Sequence, residues 1–257
     1  MTRRVLLPAG IVIALLGLWQ LASEWDVLAN LLNIQDFLVP SPSQIGQALW
    51  EDRSLLADNA WVTLKEVVFG FALAVVVGLA FAVAMHLSET VRRAFYPLIV
   101  ASQTVPVIAI APILVVWFGF GIGPKLAIIA LVCFFPITVN ALDGLRSVDP
   151  DQVKMMRTLD ADRWQILRRV EAPSALPFAF SGAKIAVAVA VIGAVFGEWV
   201  GSDSGLGHLI LQAQAQLLTA RVFAAIVVLS AMAMALFGLL ALAERRWVDW
   251  NQTETKT

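Results

Sequence analysis

The chain has 257 residues, of which 60% are hydrophobic and 14% charged, with a formal net charge of -1. That balance excludes a disordered chain and is extreme for a soluble domain of this length. The net charge gives no argument for a nucleic-acid partner, and none is expected. A single cysteine, Cys133, leaves no disulfide possible within the chain and reads as a packing residue.

Charge-free apolar windows cover residues 5–23, 67–85, 94–124, 126–142 and 222–243. Each is near or above the ~17 to 25 residues that cross a bilayer as a helix. A sixth window, 176–197, contains Lys184, whose stem can stay in hydrocarbon while its ammonium reaches the headgroups. Six spans are expected, over about residues 5–23, 66–86, 98–118, 126–142, 176–197 and 222–243, in one domain of residues 1–257. The first window follows Arg3 and Arg4 like a signal peptide. No small-residue cleavage pattern comes after it, so it is read as a retained span.

After the first span, residues 24–63 carry Asp26, Asp36, Glu51, Asp52 and Asp58. Within them Val39-Pro40-Ser41-Pro42-Ser43 reads as an extended turn, with Ser43 placed to cap a short helix through Trp50. In the third window, Pro97, Pro106 and Pro112 predict one kinked helix over about 98–118. A tight turn at Gly119-Phe120-Gly121-Ile122-Gly123-Pro124 then leads to the fourth span. These glycines sit between two spans, with no preceding strand, and G-x-x-x-x-G-K-[ST] occurs nowhere, so no phosphate loop is encoded. Small residues recur at helical spacing at Gly70, Ala74, Gly78 and Ala82, and again at Ala186, Ala190, Gly193, Ala194, Gly197 and Gly201. Such stripes let helix backbones approach closely, within the subunit or across a dimer.

Basic residues set the expected orientation. With the N-terminus cytoplasmic, the inner side collects Arg3, Arg4, Arg92, Arg93, Arg146, Lys154, Arg157, Arg163, Arg168, Arg169, Arg245, Arg246 and Lys256. Only Arg53, Lys125 and Arg221 fall clearly outside, so both termini are expected in the cytoplasm.

The segment 143–175 between the fourth and fifth spans holds six basic and six acidic residues, which excludes a simple polybasic anchor. Apolar side chains recur at Val153, Met156 and Leu159, then at Ile166, Leu167 and Val170. That spacing predicts two short amphipathic helices broken near Asp160-Ala161-Asp162. Short helices with an apolar face need the membrane interface or a partner protein to cover it.

Several motifs occur in order along the chain: Val39-Pro40-Ser41-Pro42-Ser43, Gln103-Thr104-Val105-Pro106 through Ala111-Pro112 to Trp117-Phe118-Gly119, and Arg157-Thr158-Leu159-Asp160-Ala161-Asp162-Arg163-Trp164-Gln165-Ile166-Leu167. Pro173 through Leu176-Pro177 and Gly197-Glu198-Trp199-Val200-Gly201 with Gly205-Leu206-Gly207 complete the set. Together they resemble the permease subunits of binding-protein-dependent ABC importers, in the branch that handles nitrate, sulfonates, taurine and thiamine-pyrimidine precursors. The resemblance implies an all-α integral membrane protein with six transmembrane helices and the type I, MetI-like importer fold. Its cytoplasmic loop, 143–175, would dock into an ATPase subunit through Met156, Arg157, Leu159, Asp160, Ala161, Arg163 and Trp164. Here Lys154-Met155-Met156 stands where Glu-Ala-Ala is usual, and Asp160 where glycine is usual.

The same resemblance implies the partners: an ABC ATPase dimer, a soluble binding protein or lipoprotein, a second copy of the chain and the bacterial inner membrane. No cofactor is expected in this chain, ATP and Mg being used by the ATPase, and no catalytic residue or metal ligand is assigned. The substrate reading leans to a hydroxymethylpyrimidine-type thiamine precursor, with sulfonate, taurine or nitrate as the alternative. Gln103, Thr104, Trp117, Glu198 and Trp199 are the candidate path residues, the tryptophans as stacking surfaces and Glu198 as a substrate contact or a structural pair. Interfacial anchoring explains the tryptophans equally well. An ion-coupled secondary transporter is a further alternative, but it usually needs intramembrane carboxylates or an inverted repeat, and only Lys184 and the boundary residue Glu198 carry charge in the apolar windows.

Overall fold

The computed structural model describes residues 2–25, 35 and 38–248; Asp26, Asp36 and Lys256 lie outside the described residues, as do the side chains of Arg3 and Arg4. All regular structure among the described residues is helical. In chain order it comprises α1 (Thr2–Glu24), α2 (Pro42–Glu51), α3 (Arg53–Leu87), α4 (Glu89–Ser102), α5 (Val107–Phe118) and α6 (Ile122–Arg146). There follow α7 (Pro150–Thr158), α8 (Arg163–Ile166), a π-helical turn (Leu167–Glu171), α9 (Ala172–Gly201), α10 (Leu206–Ala215) and α11 (Thr219–Trp247).

Helices α3, α6 and α11, and the continuous run from Arg163 to Gly201, are each long and apolar enough to cross a membrane. The pair α4 and α5 makes a fifth crossing, broken by a bend of 105°. Helix α1 adds 23 residues, and its Leu6, Leu7, Ile11, Ile13, Leu15 and Leu18 are all exposed, as expected where the solvent is hydrocarbon. This is an all-α membrane fold compatible with six spans.

Two compact units are formed, Met1–Val62 with Ser204–Ser230, and Thr63–Asp203 with Ala231–Thr257. In the first, Pro42 opens α2 and Ser41 caps it, accepting from the Gln44 amide while the Gln44 side chain returns to the Ser41 amide. The cap is therefore Ser41 rather than Ser43, because proline is favoured at the first helical position and the residue before it takes the extended conformation a cap requires. Ser43 instead exchanges two hydrogen bonds of 3.0 Å with the Gln20 side chain. Arg221 clasps Asp52 with two bonds of 2.7 and 2.9 Å.

The second unit is organised around α6. Both small-residue stripes face it from within the subunit, except Gly201, which faces Val115 on α5. A Cβ added at Gly70 on α3 would lie 2.6 Å from the Cβ of Ile129, and one at Gly193 on α9 would lie 2.9 Å from Val132. Gly182 is tighter still, at 2.5 Å from the Pro136 carbonyl oxygen. Ala74, Ala82, Ala186, Ala190 and Ala194 are buried along the same faces, and the Cys133 thiol donates to the Ala186 carbonyl at 3.2 Å. Van der Waals contact at this range replaces the hydrophobic drive that is missing between helices in lipid.

Three further expectations change. The helix predicted over 98–118 is two helices, with a non-helical elbow at residues 103–106. Pro106 cannot donate to the α4 ladder and pushes Val105 out of the helical region, so α5 starts afresh after it. Lys184 does not extend to headgroups: its ammonium lies 2.8 Å from Glu244 near the end of α11. The second amphipathic helix of the charged segment is not separate, because Ile166 and Leu167 are buried and the chain runs through the π turn into α9. Only residues 147–149 and 159–162 of that segment are outside helices.

The close approach at Gly182 sets the first prediction. Gly182→Ala is expected to lower the thermal unfolding midpoint of the detergent-purified protein, with an overpacking cost of about 1–3 kcal/mol. Gly46→Ala, at an exposed helical site with open space around it, should leave the midpoint unchanged or raise it by the equivalent of about 0.5–1 kcal/mol.

Candidate functional site

The elbow at 103–106 opens a cavity of about 260 Å³ in the second unit, lined by Ser102, Gln103, Val105, Val107, Leu131, Val132, Val189, Ile192 and Phe196. Its polar groups come from the break itself, where backbone outside a helix is tolerated in a membrane only if it lines a cavity or is buried in protein. The Ser102 hydroxyl is turned back to the Ile99 carbonyl at 2.7 Å, leaving the Gln103 amide as the larger polar group on the wall. None of the lining residues is charged. Phe196 meets Trp199 edge to face at 5.4 Å, which places Trp199 one ring behind the cavity wall.

The other path residues lie elsewhere. Thr104 donates to the Ala101 carbonyl at 2.8 Å and closes the end of α4. Trp117 is 73% exposed and does not line the cavity. Glu198 is fully buried and accepts from the Thr63 hydroxyl at 2.6 Å. Beside it sits a cluster without a signature in the sequence. Lys125 donates to one oxygen of Glu66 at 2.6 Å and to the Ser202 hydroxyl at 2.7 Å, and the second Glu66 oxygen is buried with no hydrogen-bond partner among the described residues. Lys125 and Glu66 are both buried. Two carboxylates, one ammonium and two hydroxyls thus fasten the starts of the apolar parts of α3 and α6 to the end of α9. Buried charge in this arrangement fixes position, because each partner is costly to leave alone.

The opposite end of the unit carries the charged segment. Asp149 caps α7, and the helix ends in a Schellman motif: the Ala161 amide donates to the Met156 carbonyl at 3.1 Å and the Asp160 amide to Arg157 at 3.0 Å. Asp160 takes the left-handed conformation, with φ of 58°, that this motif demands. A glycine at this position would meet the same demand without strain, and aspartate is among the few other residues that tolerate it. The turn is therefore retained despite the substitution. Asp162 then caps α8 in a capping box with Gln165. Met155, Leu159 and Trp164 are exposed at 58, 70 and 59%, while Met156 and Ala161 are half-buried at the turn. Arg157 is exposed, and Arg163 reaches inward to Glu171 at 2.7 Å. Sequence spacing missed His86 and Glu171, which join Arg163 at the end of α3.

Residues 74–249 match the family described as binding-protein-dependent transport system inner membrane component. The chain is 39% identical over 231 residues to the formylaminopyrimidine transport permease protein ThiX of Halalkalibacterium halodurans, covering 90% of this chain and 92% of that one. It is 36% identical to the riboflavin transport system permease protein RibX of Chloroflexus aurantiacus, covering 88% and 85% of the two chains. With the taurine transport system permease protein TauC of Escherichia coli it shares 32% identity, covering 98% and 92%. Among solved structures, the fold is similar to a chain of the MetNI methionine ABC transporter, with a TM-score of 0.64 at 20% identity over 77% of this chain and 97% of that one.

The buried pair generates a direct expectation. Lys125→Met leaves Glu66 uncompensated and should destabilise the purified protein by about 3–5 kcal/mol. Replacing both, Lys125→Met with Glu66→Met, should recover most of that loss in thermal unfolding. Equal stability of the single variant and the parent would show that the pair fixes nothing.

Proposed function

The chain belongs to the inner membrane components of binding-protein-dependent transport systems, and on that premise we propose that it is the permease of an ATP-driven importer for a pyrimidine-type thiamine precursor. Two copies, each a single permease domain, form the path. A separate ABC ATPase pair binds ATP and Mg and docks on the α7–α8 segment, and a soluble binding protein delivers substrate at the other side. The termini and the segment 143–175 face the cytoplasm. The carrying observation is the α7–α8 turn, where Met155, Leu159 and Trp164 stand exposed on a charged segment with nothing among the described residues to cover them. An ATPase cleft supplies the missing cover, with Met156, Arg157, Asp160 and Ala161 shaping the turn that enters it.

The uncharged cavity supports the substrate reading. A sulfonate or nitrate anion in low-dielectric surroundings needs a cationic or strongly donating partner, and the lining offers Gln103, Ser102 and the Phe196 ring instead. A neutral heteroaromatic ring suits that wall by stacking and amide hydrogen bonding. ThiX, named for formylaminopyrimidine transport, is consistent with this choice. TauC, named for taurine transport, carries the competing anion reading.

Coupling is driven by the shared preference of ATP and loaded binding protein for one conformer. Leu159→Glu places a charge on the docking face without disturbing the fold, because the side chain is already exposed. It is expected to leave the permease in the membrane while ATPase co-purification falls about tenfold or more, since every ~1.4 kcal/mol is a factor of ten. Gln152→Glu, at an exposed site on α7, should have little effect. Normal ATPase recovery with Leu159→Glu would remove this segment as the docking element. For the substrate, cells unable to make the pyrimidine should lose growth on low concentrations of its precursor, but not on thiamine, when the gene is deleted. Loss of taurine or sulfonate use with precursor growth intact would reassign it.

A further inference from the structure

The elbow between α4 and α5 turns its polar groups back on itself, with one exception. The amides of Gln103, Thr104 and Val105 donate to the carbonyls of Val100, Ala101 and Ser102 at 3.2, 3.0 and 3.3 Å. The Ser102 and Thr104 hydroxyls close onto the Ile99 and Ala101 carbonyls at 2.7 and 2.8 Å. The side-chain amide of Gln103 is the exception: it lines the cavity, is exposed, and makes no hydrogen bond to any described residue. Leu131 and Val132 of α6 and Val189 and Ile192 of α9 line the same cavity, well inside the apolar lengths of both helices. A polar side chain at such a depth is expensive unless a partner reaches it, and residues of this kind mark substrate paths.

A carboxamide presents a C=O acceptor and an N–H donor side by side. Its complement is a ring edge that carries a donor next to an acceptor, such as an exocyclic amine beside a ring nitrogen. Glutamine reads adenine through an edge of this type in nucleic acids. An oxyanion offers acceptors alone and can use only the N–H half of the amide. The cavity, at about 260 Å³, lies below the ~300–1,000 Å³ that hold drug-sized ligands, which favours one ring with small substituents over a fused multi-ring ligand. Phe196 supplies an aromatic surface on the same wall, its own ring set edge to face against Trp199 at 5.4 Å.

We propose that Gln103 is the specificity-determining residue of the elbow cavity, its side-chain amide pairing with the amine-and-ring-nitrogen edge of a small aminopyrimidine while Phe196 covers the ring. The proposal rests on reading the cavity as the substrate path of a pyrimidine importer. It makes the exocyclic amine of the solute, rather than its other substituents, the group that the permease recognises. Removing the amine protons leaves the Gln103 carbonyl without its donor and crowds the amide, so the altered ring is rejected.

The test is saturation-transfer NMR on the full-length permease in lipid nanodiscs, with empty nanodiscs as the blank. The probes are an aminopyrimidine carrying a hydroxymethyl group and the same compound with its amine dimethylated. The parent should bind the dimethylated compound about tenfold more weakly. Gln103→Met keeps the length of the side chain, has no hydrogen bond within the chain to lose, and should bind both compounds with the weaker affinity. No binding of the aminopyrimidine to the parent above the blank, equal affinity of the parent for the two compounds, or a Gln103→Met variant that still separates them overturns the proposal. The deletion experiment on precursor growth decides the importer reading by itself. Growth that depends on the gene, together with binding that ignores the amine, defeats only the role of Gln103. Loss of taurine or sulfonate use instead defeats the substrate reading and this proposal with it.

Discussion

Everything in the larger unit depends on how closely α3 and α9 approach α6. In lipid the tails are as apolar as leucine, so helices gain little by hiding apolar surface from their solvent. They associate where backbones come near enough for dense contact. Glycines at 70 and 78 on α3 and at 182, 193 and 197 on α9 permit that approach, each meeting an α6 side chain or backbone atom where a Cβ would stand. Gly197 faces the backbone of Lys125 itself, and Gly144 on α6 meets Phe178 on α9 at the other end. The register set by these contacts brings Ser202 to Lys125 and forms the wall of the elbow cavity.

The charged residues divide between two ends with different character. At one end, Glu66, Lys125, Glu198 and Thr63 are all buried, with Lys125 on one oxygen of Glu66 and Thr63 on one oxygen of Glu198, an arrangement that is costly to open. At the other, Glu171 and His86 are enclosed while Arg163 is partly in solvent. A buried ion pair holds helices at fixed spacing, because separating it strands a charge. The polar elbow lies between these ends in a stretch of mainly apolar packing.

The departures from the family pattern at 154–156 and 160 leave the backbone geometry of the turn intact. Asp160 adopts the left-handed conformation, and the two Schellman hydrogen bonds form around it. What changes is the chemistry presented: Lys154 is paired with Asp151 on the surface, and Met155 adds flexible apolar area beside Leu159. Methionine adapts readily to an irregular partner surface.

The helices were legible in the sequence because local composition controls them. Long charge-free windows, the turn at Gly119 and Gly121, the break before Asp162 and the two small-residue stripes are all properties of neighbours along the chain. The membrane character and the charged segment followed directly. The 105° bend, the Lys184–Glu244 pair, the Glu66–Lys125 pair and the His86–Glu171 contact were not legible. Prolines mark where a helix is weak, but the direction it takes after the break is chosen by what it packs against. Partners 59, 60 and 85 residues apart meet only once the rotation and axial register of separate helices are fixed. The sequence by itself determined which segments are helical and apolar, because hydrogen bonding and hydropathy act along the chain. Tertiary packing alone decided which buried charges meet, because a helix face carries no information about the rotation of its neighbour.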